Sequence, residues 1–268
     1  MENIKLVLCD IDGTLLHDNG YITDETKKAI SLLKEKNIMF GIATGRTPYA
    51  VKDLIVDWGI EKDVDMIMGF NGGSCYYMKE QTMESCYLLE GQYIQEIMND
   101  FKDFNATYGI YDFKTFHCNR KTDATIKIAN ANKLSLIIDD LSDYYNKKVE
   151  KVLMIETPDK IQQIKNNYER HLKTNHYRIV QSSPILLEFL NPELSKSKGI
   201  EQICKRLSIS FDNILTFGDE LNDLEMIRDC IGVAMGNARK EIKEIAQYIT
   251  DTNNNDGIAN FLYQYILR

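Results

Sequence analysis

The stretch that decides the fold is IKLVLC, residues Ile4 to Cys9, followed directly by DIDGT, residues Asp10 to Thr14. A near-continuous apolar run of this length is typical of a strand that is buried on both faces, as in a parallel sheet. It ends in two carboxylates, Asp10 and Asp12, followed by Gly13, which lets the backbone turn sharply. Because ligands of open α/β sheets bind beyond the carboxyl ends of strands, we expect both carboxylates at a functional site.

DIDGT alone has an ordinary explanation, because Asp and Gly are common turn residues. Two later segments repeat the arrangement of a strand followed by polar residues. Ile38 to Ala43 precedes Thr44 and Gly45, and Ile214 to Phe217 precedes GDELND, residues Gly218 to Asp223. The recurrence of acids and possible phosphate binders at strand ends favours a shared site over separate turns.

The order of predicted elements indicates two domains. Strands and helices alternate at both ends of the chain, which predicts an α/β fold with a doubly wound parallel sheet. Between them the sequence is rich in Tyr, Asn and Lys, has no acidic motif at a strand end and loses the alternation. We therefore predict a discontinuous core domain formed by residues 1–80 and 188–268, with an inserted α+β domain over residues 81–187.

Composition limits the possible partners. The chain has 268 residues and a formal net charge of -8, which argues against binding a nucleic-acid polymer. No apolar run is long enough to span a bilayer, and no signal peptide is visible after Met1. Six scattered cysteines lack metal-ligand spacing. We expect a cytoplasmic protein with a small-molecule partner and no membrane contact; the sequence does not indicate the oligomeric state.

Carboxylates near strand ends predict a metal ion. Asp10, Asp12 and Asp219 fall at or just after strand ends, and Asp223 lies one helical turn beyond Asp219. Clustered carboxylates repel one another, and hard oxygen ligands of this kind favour Mg²⁺, which often bridges to a phosphate. The alternative for Asp219 and Asp223 is an ordinary role as helix-capping residues.

Candidate phosphate binders accompany the carboxylates. Thr44 offers a hydroxyl, and Gly45 offers a backbone N–H at a strand-to-helix turn. Lys198 lies near a predicted helix N-terminus, where a cation opposes the helix dipole unless an anion shares the site. Each residue also has an ordinary alternative, since Thr44 could cap a helix and both Lys196 and Lys198 could be solvated surface charges.

These motifs resemble those of the haloacid dehalogenase superfamily of phosphohydrolases. DIDGT is similar to its DxDGT motif, Thr44-Gly45 to its second motif, Lys198-Gly199 to its third and GDELND to its fourth. GVAMGNA at Gly232 to Ala238 and DGIA at Asp256 to Ala259 resemble the Cof-type branch. The resemblance implies a HAD-like core and a C2-type cap domain at the insertion.

The sequence departs from the family pattern at two places. Asn71-Gly72-Gly73 stands where many relatives have NGA after the third strand. The segment SKSKG offers two lysines, Lys196 and Lys198, where relatives usually show one before the glycine. We prefer Lys198 as the phosphate-binding lysine because it directly precedes Gly199.

The resemblance implies roles for the aspartates. Asp10 is expected to be the nucleophile that forms an aspartyl-phosphate. Asp12 is expected to protonate the leaving oxygen and then to remove a proton from the attacking water. The resemblance also implies that Mg²⁺ is held by Asp10, the backbone carbonyl of Asp12 and Asp219, which offsets the repulsion between nucleophile and substrate.

The remaining motif residues are expected to act on the phosphoryl group. Those implied to stabilise its oxygens are Thr44, Gly45, Lys198 and Asn222. Asp223 is expected to support the site from behind these residues.

The inserted domain is expected to select the substrate, because the core residues recognise only the phosphate. Its candidate pocket residues are Tyr108, Tyr111, Phe116 and His117. Ordinary packing inside that domain is the alternative for each of them, since aromatic residues are common in protein interiors.

The sequence therefore predicts a Mg²⁺-dependent phosphatase of small phosphorylated metabolites, such as sugar, nucleotide or cofactor phosphates. A phosphomutase would use the same aspartates but return the phosphate to the substrate, and would have to exclude water. A non-catalytic phosphate sensor is a third alternative. The presence of both Asp10 and Asp12 argues against it, since binding alone needs no acid/base residue.

Overall fold

The computed structural model describes residues 3–171 and 175–268. They form two compact units. We call Met1–Cys86 together with Ser195–Arg268 the core unit, and Tyr87–Leu194 the inserted unit.

Within the described residues there are sixteen strands and nine α-helices. The strands are β1 (Leu6–Cys9), β2 (Met39–Ala43), β3 (Met66–Gly69), β4 (Ser74–Tyr77), β5 (Thr82–Ser85), β6 (Leu89–Glu90), β7 (Thr107–Asp112), β8 (Thr115–Cys118), β9 (Ser135–Ile138), β10 (Lys148–Val149), β11 (Val152–Ile155), β12 (Arg178–Ser183), β13 (Leu186–Leu190), β14 (Ile214–Gly218), β15 (Ile231–Ala234) and β16 (Tyr248–Ile249). The helices are α1 (Asp24–Glu35), α2 (Pro48–Asp57), α3 (Gln92–Asp100), α4 (Asp123–Ala131), α5 (Pro158–His171), α6 (Lys196–Leu207), α7 (Leu224–Asp229), α8 (Lys240–Ile245) and α9 (Gly257–Tyr265).

The core unit is built on one eight-stranded sheet with the order β16-β15-β14-β1-β2-β3-β4-β5. Its strands from β16 to β3 are parallel, and β4 and β5 are antiparallel additions at one edge. The chain builds outward from β1 to β2 and β3 on one side, and later from β14 to β16 on the other. Ligands of α/β proteins bind at such a reversal of strand order. The prediction of a doubly wound α/β core is confirmed.

Local sequence signals explain where the first helices begin. The Thr23 hydroxyl accepts from the backbone N–H of Thr26 and so caps α1. Thr47 caps α2 in the same way, and Pro48 occupies its first helical position, where a missing N–H costs nothing. Every residue of β1 is buried, as its unbroken apolar sequence predicts.

The unit boundaries differ from the predicted ones by several residues. β5 pairs with β4, so the core unit continues to Cys86 rather than ending at residue 80. β13 pairs with β11 and β12, so the inserted unit continues to Leu194 rather than to residue 187. Composition does not reveal strand pairing, which is what decides these limits.

The inserted unit has a six-stranded sheet of order β12-β13-β11-β7-β8-β9, in which only β8 and β9 pair in parallel. Apolar side chains from α3 and α5 join those of the sheet in one buried cluster. This arrangement is of the α+β type. Among the described residues, no helix combines the length and the apolar character that crossing a bilayer requires.

Candidate active site

The carboxyl ends of three adjacent strands bring the predicted site residues together. The last residue of β1 lies in register with Ile42 of β2 and with Phe217 of β14. Asp10, Thr44 and Asp219 follow at the ends of these three strands, and all of them are buried. The topology of a parallel sheet therefore gathers residues that are far apart in the sequence.

A buried lysine links two of the site's carboxylates. Lys196 Nζ donates to Asp10 Oδ1 at 2.6 Å and to Asp223 Oδ1 at 2.5 Å. The other oxygen of Asp223 accepts from the backbone N–H groups of Asp219 and Glu220, at 3.0 and 3.2 Å. Asp223 thus fixes the lysine against Asp10 and also holds the turn that carries Asp219.

This lysine is not the one that the sequence analysis preferred. Lys196 is fully buried, whereas Lys198 is exposed and its Nζ pairs with Glu201 at 3.2 Å. α6 begins at Lys196, so the buried positions Gly199, Ile200 and Ile203 lie on the face of that residue, three, four and seven residues on. Lys198 is on the other face. The phase of the helix, readable from the sequence, decides between the two lysines.

Two glycines allow the start of α6 to pack directly against the backbone of the turn after β3. A Cβ on Gly72 would lie 2.3 Å from the backbone oxygen of Ser195, and a Cβ on Gly199 would lie 2.5 Å from the Cα of Gly72. Neither position has room for a side chain. The glycine of SKSKG is therefore needed for backbone packing, which places the start of α6, with Lys196, at the site.

Burial dominates the electrostatics of this cluster. It raises the pKa of Asp10 above its ordinary value, with Asp223 acting in the same direction and Lys196 opposing. Burial also raises the pKa of Asp219 to about 6, against a hydrogen bond from Thr14. Burial by itself would lower the pKa of Lys196, but the Asp10 and Asp223 carboxylates raise it above its usual range. The lysine is therefore charged, and its single positive charge does not balance the negative charge of all the carboxylates.

The donor set fits a divalent cation. Asp10, Asp219 and Asp223 each offer a carboxylate oxygen, and these oxygens lie within 4.8 Å of one another. One ammonium faces three carboxylates, which leaves an excess of negative charge in a buried place. Oxygen-only ligands with such an excess suit Mg²⁺. The prediction assigned the backbone carbonyl of Asp12, not its carboxylate, to the metal, and that carboxylate is not one of these three.

Asp12 faces an arginine that the sequence analysis did not single out. Arg46 Nη2 donates to Asp12 Oδ1 at 2.7 Å and to Oδ2 at 3.0 Å, while Nε donates to Oδ2 at 3.2 Å. The Asp12 side chain is 64% exposed, unlike that of Asp10. Arg46 directly follows Gly45, so its position beside the second motif was visible, but its partner was not. This fork holds the Asp12 carboxyl in one orientation.

The turn after β1 packs tightly against Asp219. Gly13 has a φ of 77°, and a Cβ there would lie 2.4 Å from Asp219 Oδ2. The hydroxyl of Thr14 donates to Asp219 Oδ1 at 2.8 Å. Asn237 of the GVAMGNA segment donates from Nδ2 to the carbonyl of Gly13 at 2.8 Å. Glycine is therefore required by both the conformation and the contact, and Asn237 ties the turn to the loop after β15.

Three of the predicted phosphate binders, Thr44, Gly45 and Asn222, lie where the turns after β2, β3 and β14 meet. Asn71 N donates to Thr44 O at 2.9 Å, and Phe70 N donates to Arg46 O at 3.0 Å. Asn222, at the turn after β14, donates from Nδ2 to Asn71 Oδ1 at 3.2 Å. Thr44 and Asn222 therefore come together through Asn71, a residue that the sequence analysis noted only as part of a motif variation.

The four aromatic candidates of the inserted unit do not share one surface. Tyr111 pairs with Phe116 across β7 and β8, and their ring centroids are 5.2 Å apart. Tyr108 and His117 lie on the opposite face, as the alternation of strand residues requires. Tyr108 belongs to the unit's apolar cluster, and the ring of His117 is engaged by Asp139 and Thr115. One pocket lined by all four is excluded by the register.

Comparison with known proteins gives a family match over nearly the whole chain. The family model of haloacid dehalogenase-like hydrolases matches residues 7–262. Two 5-amino-6-(5-phospho-D-ribitylamino)uracil phosphatases of Bacillus subtilis are similar in sequence. One is 29% identical and covers 99% of this chain and 97% of its own length; the other is 27% identical and covers 97% of each.

A solved structure supports the same assignment at the level of the fold. The crystal structure of a haloacid dehalogenase-like hydrolase from Bacteroides thetaiotaomicron superposes with a TM-score of 0.85. It covers 97% of this chain and 99% of its own, at 23% sequence identity.

Proposed function

Because the chain belongs to the haloacid dehalogenase-like hydrolases and is a phosphatase, we propose that it hydrolyses small phosphate monoesters with Mg²⁺ through an aspartyl-phosphate on Asp10. The observation that carries the proposal is the excess of buried carboxylates at the ends of β1 and β14. A nucleophilic carboxylate beside a charged lysine and a cation site suits attack on an anionic phosphate.

In the first step an Asp10 oxygen attacks phosphorus, and the bond between phosphorus and the ester oxygen breaks. The leaving oxygen takes a proton from the Asp12 carboxyl group, which Arg46 orients. In the second step water attacks phosphorus, Asp12 removes its proton, and the acyl phosphate bond breaks to restore Asp10. The products are the free alcohol and inorganic phosphate.

Other residues of the chain bind and orient the phosphoryl group. Lys196 offers the cation nearest to Asp10, and Thr44, Gly45 and Asn222 offer uncharged donors. Asp10, the Asp12 carbonyl and Asp219 would hold Mg²⁺, with Asp223 fixing Lys196 and the Asp219 turn. When bound, the ion supplies positive charge that offsets the repulsion between the carboxylates and the phosphate.

The test is phosphate release from a panel of monoesters with and without Mg²⁺. The panel includes 5-amino-6-(5-phospho-D-ribitylamino)uracil, the compound in the names of the two relatives, together with sugar, nucleotide and cofactor phosphates. We expect Asp10→Asn to lose turnover by at least about a thousandfold, because an amide is a poor nucleophile. An unchanged unfolding midpoint would show that the variant still folds.

The outcome also separates the alternatives. Single-turnover release of inorganic phosphate is expected of a phosphatase, whereas a phosphomutase would return the group to the substrate. Turnover by Asp10→Asn near the wild-type rate would remove this residue as nucleophile.

A further inference from the structure

The turn after β3 has a backbone conformation that its residues do not prefer. Phe70 and Asn71 have φ values of 51° and 55°, in the left-handed region that costs most side chains about 1–2 kcal/mol. Asparagine tolerates this region, but phenylalanine rarely enters it. Two backbone hydrogen bonds to the 44–46 turn maintain the conformation. Strain that the surroundings maintain in this way is typical of functional sites.

The consequence of this conformation is the position of the Asn71 side chain. It packs against Gly45, where a Cβ would lie 3.2 Å from Oδ1 and 3.3 Å from Nδ2. Its Oδ1 accepts from Asn222. The amide therefore stands between two residues that the proposed function assigns to phosphate binding, and it connects the turns after β2, β3 and β14.

One end of this amide has no hydrogen-bond partner among the residues that the structure describes. Asn71 is 9% exposed, and its Nδ2 makes no hydrogen bond to any other residue that the structure describes. The nitrogen is not one of the enclosed polar atoms that lack a partner among the described residues, so it is open to solvent and can be reached by a ligand. This donor beside Gly45 can bind an acceptor on a ligand, and the unprotonated oxygens of a phosphoryl group are such acceptors.

We propose that Asn71 is a substrate-binding residue whose Nδ2 donates to the phosphoryl group while its Oδ1 holds Asn222 in place. The inference rests on the proposed function, since it assigns a further ligand to the same phosphate. It gives the Asn71-Gly72-Gly73 segment two separate tasks. Asn71 binds the phosphate, and Gly72 admits the start of α6.

The first test replaces the amide without disturbing the backbone. Asn71→Gly removes the side chain, and glycine adopts the observed φ at no steric cost. The matched control is Asn37→Gly, at an exposed asparagine with the same φ of 55°, so both variants add the same freedom to the unfolded chain. We expect Asn71→Gly to lower kcat/KM for p-nitrophenyl phosphate about tenfold to a hundredfold, with no change in the control.

A second variant separates phosphate binding from a purely structural role. Asn71→Asp keeps a side chain that tolerates this φ and can still accept from Asn222, but it presents a carboxylate to the phosphate. We expect the order of activity to be wild type, then Asn71→Gly, then Asn71→Asp. Should Asn71→Asp be as active as wild type, or more active than Asn71→Gly, the proposed contact would be wrong.

Binding of inorganic phosphate, measured by calorimetry, tests the inference without turnover. We expect the dissociation constant to rise about tenfold in Asn71→Gly and to stay unchanged in Asn37→Gly. If the wild type turned over no ester but bound phosphate through Asn71, the proposed function would fail and this inference would stand. Phosphate binding and kcat/KM of Asn71→Gly within twofold of wild type, or no phosphate binding by the wild type, would overturn it.

Discussion

Each unit of the protein contains a buried lysine that meets a carboxylate, and the two settings differ in their balance of charge. In the core unit Lys196 contacts Asp10 and Asp223 at 2.6 and 2.5 Å. In the inserted unit Lys151 contacts Glu188 Oε1 at 2.8 Å. Both lysines are almost completely buried. Burial and a short ion pair are therefore common to the two places.

The difference lies in the number of carboxylates. The ion pair of Lys151 and Glu188 joins one charge of each sign, and the Oε2 atom of Glu188 has no hydrogen bond among the described residues. Lys196 faces a cluster of three carboxylates, including Asp219, whose oxygens are close enough together to hold a metal ion. A buried pair by itself is weak evidence of a special role. An unbalanced cluster at the ends of parallel strands is evidence of a site that binds a ligand.

The largest effect is expected from removing the lysine of the unbalanced cluster. Lys196→Met leaves Asp10 and Asp223 without their cation, and we expect kcat to fall at least about a hundredfold because the phosphoryl charge loses a partner. Breaking a buried pair also costs stability, about 3–5 kcal/mol. Lys198→Met is the control on the exposed face of the same helix, and its effect on stability should be within about 0.5 kcal/mol.

Activity of these variants on several esters, together with urea unfolding, provides the measurement. All substrates should be depressed alike by Lys196→Met, because they share the phosphoryl group. The assignment would be reversed if Lys198→Met lost the activity and Lys196→Met retained it.

Neutralising one carboxylate in each unit should change stability in opposite directions. In metal-free buffer at pH 8, Glu188→Gln removes the carboxylate that Lys151 contacts at 2.8 Å in a buried place, and should destabilise the protein by about 3 kcal/mol. Asp219→Asn removes a carboxylate from a cluster that has too many, and should stabilise it by about 1–2 kcal/mol after allowance for partial solvent screening.

Mg²⁺ should reverse the second effect. The wild type should gain stability on adding Mg²⁺ because the ion binds only the folded state, whereas Asp219→Asn should gain much less. Thermal unfolding midpoints over a Mg²⁺ titration would show this. Equal Mg²⁺ stabilisation of both proteins would place Asp219 outside the metal site.

The gain from Asp219→Asn should depend on pH. The pKa of Asp219 in the folded, metal-free protein is about 6, above its unfolded value of about 3.9. The folded state therefore binds this proton more tightly than the unfolded state does. The contribution of the protonated carboxyl group to stability is fully present below the unfolded pKa and is lost as the pH rises through about 6. The stability difference between wild type and Asp219→Asn should accordingly be largest at pH 8 and close as the pH falls toward 4. A difference independent of pH would contradict the burial of this carboxylate.

The sequence predicted those features of the fold and site that follow from short-range patterns. An apolar strand followed by DIDGT, and another followed by GDELND, were enough to place Asp10 and Asp219 at one edge of a parallel sheet. Helix phase would also have identified Lys196, since Gly199 and Ile203 share its face. The preference for Lys198 relied on adjacency to a glycine, whereas the helix sets side-chain direction by intervals of three and four residues.

The remaining features depend on contacts between distant segments. No local pattern joins Arg46 to Asp12, or Asn71 to Asn222, because these pairs form only when the turns after different strands meet. The faces of the inserted sheet depend on strand register, which composition does not reveal. For this reason the sequence analysis grouped Tyr108 with Tyr111, although two residues that are three positions apart on a strand point to opposite faces.

The smallest effect concerns the prediction that the inserted unit selects the substrate, and it uses those two tyrosines as a matched pair. Tyr111→Phe removes a hydroxyl from the ring that lies 5.6 Å from Lys151 Nζ, on the face it shares with Phe116. Tyr108→Phe removes a hydroxyl that is buried without a hydrogen bond among the described residues, on the opposite face. We expect Tyr111→Phe to change the ranking of phosphate esters by a fewfold in kcat/KM, roughly 1 kcal/mol, and to leave acetyl phosphate unaffected. Tyr108→Phe should leave the ranking intact.

Phe116 is a poorer choice, because truncating a fully buried ring costs about 3–5 kcal/mol of stability. If both tyrosine variants altered every substrate equally, the inserted unit would contribute stability rather than selectivity, and its balanced ion pair would have no part in recognising the substrate.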